Sequence, residues 1–497
     1  MSNESINLNA NTCPNRESRI HSIKAYYGDA DTLIDETLNK KVKWRNRAFQ
    51  QSGGCVLTAG VQRLSTVRNA IILNHAPIGC AGQLYGYREL YKSIPPEFGI
   101  PQTDFRWISS NLKEEDIVFG GEKKLKDTII EADERYKPEA IFIINSCASG
   151  IMGDDIEGVV THVQPKVNAI LVPIHCEGFR SQVPQTGFDA FWHGILKYIV
   201  QKPKQKQEDL VNIIAPFSVT WGDRREIKRI LEKINIRVNF VPELSTISDL
   251  KQLSEAALTL TTCGSYGDYL QKSLYQEYGI PYIRNEVPIG ISQTSDWLRK
   301  VAKITNRSEL AEKVIKEEEE ALKPQIENLQ KLIANINPRI FISAGQARAL
   351  GLPLLAADLG IEISGISTLE HDDLSVENLQ KIKEKCGGKF KIHVGEYQSF
   401  EQSAIIHEIK PHIYTGCPMG GSVYKREAGI GRMHSFRSDF TVHGQQFGYQ
   451  GVINYGFVLL KALSNPSLNK KIGEFTPSPY KKWWHEKGNP LTYVKEA

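Results

Sequence analysis

From about residue 55 the chain alternates short, β-branched apolar runs with longer amphipathic segments. Short Ile/Val/Leu-rich runs bounded by turn residues read as buried strands. Strands are expected at Ala70–Asn74, Ala140–Asn145, Ala169–Ile174, Val211–Pro216, Val238–Pro242, Leu258–Thr262, Arg339–Ala344, Glu362–Ser367, Phe390–Val394 and Ile413–Thr415. Helical periodicity falls between them, at Glu122–Tyr136, Arg224–Lys233, Tyr269–Tyr278 and Ser308–Ile333. This alternation predicts an α/β fold of parallel sheets flanked by helices. Such folds take ligands in the crevice beyond the carboxyl ends of their strands.

A chain of 497 residues exceeds one core and predicts about two to four domains. Residues 1–45 read as a polar arm. The charged, proline-containing Gln201–Asp209 reads as a linker, and the long charged helix ending near Ile333 stops before Asn337-Pro338, where a new strand begins. The expected units are therefore 46–205, 206–335 and 336–465, followed by a tail, 466–497, in which Trp483 and Trp484 suggest packing.

Composition narrows the function classes. Hydrophobic residues make up 41% and charged residues 24%, with a formal charge of +4. That balance, without basic stretches interleaved with aromatics, argues against nucleic acid as a partner. No apolar run is long enough to cross a bilayer, and the polar N-terminus lacks the apolar core of a signal peptide. The expected compartment is the cytoplasm, where eight cysteines are not expected to form a disulfide framework.

The cysteines carry the chemistry. Cys55 lies in Gly53-Gly-Cys-Val-Leu-Thr-Ala-Gly, Cys80 in His75-Ala-Pro-Ile-Gly-Cys-Ala-Gly, and Cys147 in Asn145-Ser-Cys-Ala-Ser-Gly-Ile-Met-Gly-Asp-Asp. Small neighbours let a backbone approach a bulky inorganic group and aim N–H donors at its sulfurs. The competing reading is that each thiol is a small buried hydrophobe. Composition leaves both readings open. Cys263, in Leu258-Thr-Leu-Thr-Thr-Cys-Gly-Ser-Tyr-Gly, falls where an expected strand ends and a helix begins.

Read in order, His75-Ala-Pro-Ile-Gly-Cys80, Asp116-Ile-Val-Phe-Gly-Gly-Glu-Lys-Lys-Leu125, Cys147 with Gly153-Asp-Asp-Ile-Glu157, Cys176-Glu-Gly-Phe-Arg180, Cys263, Met433-His-Ser435 and Gly448-Tyr-Gln-Gly451 closely resemble the nitrogenase component 1 α-subunit superfamily. The resemblance covers roughly residues 45–465 and implies three Rossmann-like domains around a central metallocluster cleft. It also implies a homologous β subunit in an α2β2 heterotetramer and an ATP-dependent 4Fe–4S iron protein as electron donor. By resemblance, Cys55, Cys80 and Cys147 hold the α side of a P-cluster-type (8Fe–7S) iron–sulfur cluster shared with the β subunit. Cys263 and His434 match the two ends of a large active-site cofactor, Fe8S9C-like, whose heterometal stays open. A thiolate suits a terminal iron and imidazole a harder terminal metal. Arg88 falls where the family places an arginine near the cofactor, and Arg348 could serve an anionic cofactor similarly, with Gln346 and Arg180 as weaker candidates.

A lone loop histidine is ordinarily a structural hydrogen-bonder. For His434, the downstream Gly448-Tyr-Gln-Gly451 and the upstream Cys263 supply the context a motif match requires. Keeping both anchors resembles a working enzyme more than the scaffold on which the cofactor is built. Pro77-Ile-Gly-Cys-Ala-Gly82 and Gly290-Ile-Ser-Gln-Thr-Ser-Asp296 look more like the scaffold branch.

After Arg180, nitrogenases carry a glutamine and then a histidine thought to help protonate substrate. This chain places Pro184 and Phe188 at those positions, with Gln185 one step on. A phenyl ring cannot relay a proton, so dinitrogen reduction is not the leading expectation. The branch expected instead is that of the nitrogenase-like methylthio-alkane reductases, which cleave C–S bonds of small thioethers to methanethiol and hydrocarbon. A nitrogenase α subunit and a cofactor-maturation scaffold are the alternatives. The chain has no Gly-x-x-x-x-Gly-Lys-Ser/Thr loop, so nucleotide chemistry falls to the iron protein. Ser435, His443 and Gln445 are candidates for a proton route. Cys417 takes no family role, and Cys13, Cys176 and Cys386 are expected to be structural.

Overall fold

The computed structural model describes residues 5–47, 54–64, 67–82, 106–215, 219–395, 398–416, 433–435, 445–464, 467, 480–485, 491 and 494–496. Strands occur at each expected run, with ends moved by a few residues. They form three separate main sheets. The first has the order β4-β3-β5-β6, from β3 (Ala70–His75), β4 (Arg106–Ser109), β5 (Ala140–Asn145) and β6 (Ile170–His175), all parallel. The second, β8-β7-β9, joins β7 (Gln207–Ala215), β8 (Arg237–Pro242) and β9 (Ala256–Thr261), also parallel.

The third sheet is mixed. Its parallel strands are β10 (Arg339–Ala344), β11 (Glu362–Thr368), β12 (Lys391–Val394), β13 (Ile413–Gly416) and β14 (Met433–Ser435). The sixth strand comes from the polar arm: β1 (Tyr26–Asp29) pairs antiparallel with β12. A small ribbon pairs β2 (Arg45–Arg47) with β15 (Val494–Glu496). Period-2 patterning gives no warning of β1, because Tyr-Tyr-Gly-Asp is neither apolar nor alternating. Its pairing is set by the edge of β12.

The parallel strands are buried on both faces. Ile141, Phe142, Ile143 and Ile144 in β5 are all fully buried, as continuous apolar runs in such sheets should be. Side chains on one face of this sheet pack with Leu125, Ile129 and Val160, and those on the other with Trp192, Tyr266 and Leu270. The second face lies against helices Thr186–Tyr198 and Gly264–Tyr278, and the same cluster takes in Ile214 of β7 and Val241 of β8, so this core runs on from the first sheet to the second.

One close crossing positions the site. Helix Val56–Leu64 and helix Thr186–Tyr198 meet at Gly60 and Gly187. A Cβ on Gly187 would run into the Val56 carbonyl and lie 2.7 Å from the Gly60 nitrogen, and both obstacles are backbone. Gly187→Ala is therefore expected to cost about 1–3 kcal/mol, read as a lowered midpoint in thermal or denaturant unfolding. An unchanged midpoint would mean the two helices separate easily.

Candidate metallocluster site

Cys55, Cys80 and Cys147 each sit just past the carboxyl end of a strand or at the first turn of a helix. Cys55 precedes helix Val56–Leu64, Cys80 lies in the short helix Ile78–Gly82 after β3, and Cys147 opens helix Cys147–Met152 after β5. The fold brings them together from a sequence span of more than ninety residues. Gly178 lies between two of them: its absent Cβ would sit 3.1 Å from the Cys147 sulfur and 3.8 Å from the Cys55 Cβ. Burial pushes the Cys80 thiol above its ordinary value, and the nearby Cys55 and Cys147 thiols push it further. Backbone N–H groups point at the sulfurs, with Gly178 donating to Cys147 at 3.0 Å and Thr58 to Cys55 at 3.4 Å.

Among the described residues no three His, Cys, Asp or Glu side chains are disposed to hold a single metal ion. The donor set here is instead three thiols, two of them accepting backbone amides, which suits a polynuclear iron–sulfur cluster.

A second layer stitches the motifs to one another. His75 donates or accepts through Nδ1 with Ser110 Oγ at 2.9 Å and pairs through Nε2 with Asp154 at 2.8 Å. Asp154 in turn accepts from the Gly121 amide at 3.0 Å, and the Ser146 and Ser149 hydroxyls both donate to the His75 carbonyl. The stretches around His75, Gly120-Gly121, Cys147 and Gly153-Asp154 thus form one bonded knot. A second knot ties Glu157 to the Cys176-Glu177 stretch through His175, which lies 2.6 Å from Glu157 and 3.1 Å from Glu177. Burial disfavours the His175 cation, but the two carboxylates outweigh it and hold the imidazole up at about 9.

The surface around the three thiols is unusually apolar. Ile78, Ile151 and Phe179 are exposed beside them. On the neighbouring helix Glu114–Phe119, Val118 and Phe119 are 73% and 87% exposed. Singly exposed apolar residues need no explanation, whereas several on neighbouring elements suit contact with another protein.

Cys263 occupies the N-cap of helix Gly264–Tyr278, immediately after β9. The Thr261 hydroxyl accepts from the Cys263 amide at 3.1 Å and donates to its carbonyl at 2.6 Å, which fixes the turn. Gly264 is required there because any Cβ would overlap the Asn285 side chain. Burial raises the Cys263 thiol above its ordinary value, while the Tyr266 and Ala347 amides pull the other way. Ala347 belongs to helix Gln346–Asp358, which begins just beyond the carboxyl end of β10. Cys263 therefore faces the carboxyl edge of the third sheet. The backbone of His434 is on that sheet as well, in β14, paired with Thr415 of β13. The His434 side chain, Arg88, Cys417 and His443 lie outside the described residues.

Phe188 is half-buried in the first turn of helix Thr186–Tyr198, its ring edge-on to Tyr266 at 5.0 Å, and it packs in the same cluster as Cys263. Arg348 is buried, donating to Gln446 at 2.6 Å and lying 3.5 Å from Asp223 and 5.7 Å over the Phe447 ring. Gln346 links Ser265 to Asp372, and Arg180 reaches the Cys13 carbonyl at 3.1 Å. Burial pushes Cys13 up to about 12, Cys176 well above its ordinary value and Cys386 up to about 11, as expected for inert structural thiols.

Sequence reasoning missed Arg16 and Arg19. Both are buried in the middle of this region, Arg16 with no exposure at all. No local signal in Pro14-Asn-Arg-Glu-Ser-Arg19 separates them from a solvated polar arm.

A match to the nitrogenase component 1 type oxidoreductase family spans residues 55–464. The chain belongs to that family. Among its relatives, the nitrogenase iron–molybdenum cofactor biosynthesis protein NifE of Methanococcus maripaludis is 28% identical over 429 residues, covering 83% of both chains. The nitrogenase molybdenum–iron protein alpha chain of Methanothermobacter thermautotrophicus is 28% identical over 432 residues, covering 83% of this chain and 88% of its own. A NifE of Methanosarcina barkeri reaches 31% identity over 330 residues, 63% of this chain and 69% of its own. The solved structure of nitrogenase Cp1 at pH 5 shares the fold, with a TM-score of 0.72 at 23% identity over 87% of this chain and 92% of its own. These relatives thus divide between cofactor biosynthesis proteins and nitrogenase molybdenum–iron protein alpha chains. Among the described residues no helix is long and apolar enough to cross a membrane.

Proposed function

We propose that this chain is the metallocluster-bearing α-type subunit of a component 1-type complex, built as three Rossmann-like units (46–205, 206–335 and 336–465) around a central cleft. Cys55, Cys80 and Cys147 hold one side of a P-cluster-type iron–sulfur cluster whose remaining thiolates come from a homologous subunit. Cys263 and His434 hold the two ends of a larger iron–sulfur cofactor, with Arg88 and Arg348 as its candidate anion contacts. When bound, these clusters supply electron relay and a redox-active metal site. The observation that carries the reading is the convergence of three thiols, two of them accepting backbone amides, with Ile78, Ile151 and Phe179 exposed near them in the chain. Those exposed side chains suit a homologous partner subunit, and nucleotide-driven electron delivery suits a separate iron protein.

The relatives favour a nitrogenase-type or cofactor-biosynthesis role over C–S bond cleavage. Between those two, Phe188 weighs against dinitrogen. Its ring stands edge-on to Tyr266 in the apolar cluster that includes Cys263, and it offers no proton to a bound substrate. The leading reading is therefore a maturation scaffold that carries cofactor cargo and passes it on. The second reading, a methylthio-alkane reductase, is favoured by one observation: the chain keeps a histidine at position 434 in addition to Cys263, as a catalyst that retains its cofactor needs.

The anaerobically purified complex separates these readings. A scaffold transfers iron to a cofactor-free acceptor and shows no turnover with the iron protein and ATP. Methanethiol from dimethyl sulfide under the same conditions would replace the scaffold reading with the reductase, and ammonia from dinitrogen would overturn both.

A further inference from the structure

The residues that surround Cys263 are held together by a segment outside the family match. Arg16 donates to both carboxylate oxygens of Asp189, at 3.2 and 2.8 Å, to Ser265 Oγ at 2.9 Å and to Glu370 at 3.2 Å, and also to the Ser265 carbonyl. Arg19 donates to Asp189 at 2.8 Å and to Asp268 at 2.5 Å. Asp189 is on helix Thr186–Tyr198 of the first unit and Asp268 is on helix Gly264–Tyr278 of the second. Glu370 follows β11 of the third. One short stretch of arm therefore joins all three units, two residues from Cys263 at Ser265, and the Arg16 guanidinium lies 5.8 Å over the Phe188 ring.

These contacts are costly to break. Two buried guanidiniums pair with three carboxylates that are themselves almost fully buried, and removing one partner of a buried ion pair leaves an uncompensated charge. A planar, five-donor fork satisfies several acceptors in a fixed geometry that a lysine's three donors do not reproduce. The arm is tethered on either side: His193 and Lys197 bond to the Ala10 carbonyl, and Ile23 exchanges backbone hydrogen bonds with His371.

We propose that the segment Asn15–Lys24 is a clasp over the Cys263 end of the site, with Arg16 its positioning residue. While Arg16 and Arg19 are seated among Asp189, Asp268 and Glu370, the three units stay closed around Cys263. When they leave, Cys263 opens and the three carboxylates lose their counter-charges, so the same arm sets both access and local charge for an anionic cargo. The clasp's role towards a cofactor rests on the assignment of Cys263 proposed above. Thiol labelling reads the clasp and iron content reads that assignment, so the two can fail separately.

The test uses the full chain, with any subunit that copurifies, prepared without iron. N-ethylmaleimide labelling is followed at each cysteine by peptide mass spectrometry. In the wild type, exposed Cys147 labels quickly and half-buried Cys263 more slowly. Arg16→Gln is expected to speed Cys263 by about tenfold or more, as a local opening step would, while Cys147 and Cys386 keep their rates. Arg16→Lys keeps the charge without the fork and should fall between the two. A folded Arg16→Gln protein with an unchanged Cys263 rate overturns the proposal. If that variant does not fold, the wild type decides: amide exchange of residues 15–24 and labelling of Cys263 are followed through low guanidinium concentrations. A clasp makes both open together, before the amides of helix Thr186–Tyr198. Cys263 opening with the arm still protected, or only on global unfolding, overturns it.

Discussion

Cys147→Ala, produced anaerobically with its partner subunit, is expected to lose the interface cluster and with it any electron transfer into the complex. Cys147 is the exposed member of the three thiols, and its sulfur accepts the Gly178 amide at 3.0 Å. Changes in an outer shell typically cost about 10–100-fold in metal affinity or activity, and loss of a direct thiolate ligand should exceed that. Cys176→Ala is the control. Its thiol is fully buried, packed against Gly60 and held protonated by its surroundings, so its replacement should leave the iron in place. Iron content and the low-temperature electron paramagnetic resonance of the two variants are the readouts. Equal iron in both would remove Cys147 from the ligand set.

Cys263→Ala should do the complementary thing. It is expected to lose the iron of the second cluster while the interface cluster keeps its own, and to lose any turnover or cargo transfer. Cys263 is held by the Thr261 hydroxyl on its own backbone, and the adjoining Gly264 packs closely on the Asn285 side chain. Retention of all iron by this variant would mean the second cluster is not anchored at position 263.

Much of the frame was legible in the chain itself. Short continuous apolar runs bounded by turn residues, such as Ala140–Asn145, read as strands buried on both faces, and the structure has them where the pattern puts them. The thiols at strand ends were legible for the same reason, since a run that stops at Cys263 or just before Cys147 fixes where the side chain emerges. What could not be read was anything that depends on contacts distant in sequence. β1 is a strand only because β12 offers an open edge. Arg16 looks like any charged residue of a polar arm, yet it is buried because Asp189, Ser265 and Glu370 come together from three distant stretches of the chain. His75 and His175 likewise gave no sign of the knots they tie, because Asp154, Glu157 and Glu177 meet them only in the folded chain.

The Gly60–Gly187 crossing links these observations. It holds the helix that follows Cys55 against the helix that carries Phe188 and Asp189. Cys55 and, through Phe188 against Tyr266, the start of the helix that follows Cys263 are thereby attached to one pair of helices, so the two proposed cluster positions share a common support. The arm adds the third attachment through Asp189.

The most direct test of the central claim is the iron content of the wild-type chain, purified anaerobically together with its partner subunit. Iron sufficient for two polynuclear clusters per pair of subunits, reduced separately by Cys147→Ala and by Cys263→Ala, is the result expected. A folded, partner-bound protein with negligible iron would contradict the metallocluster assignment as a whole.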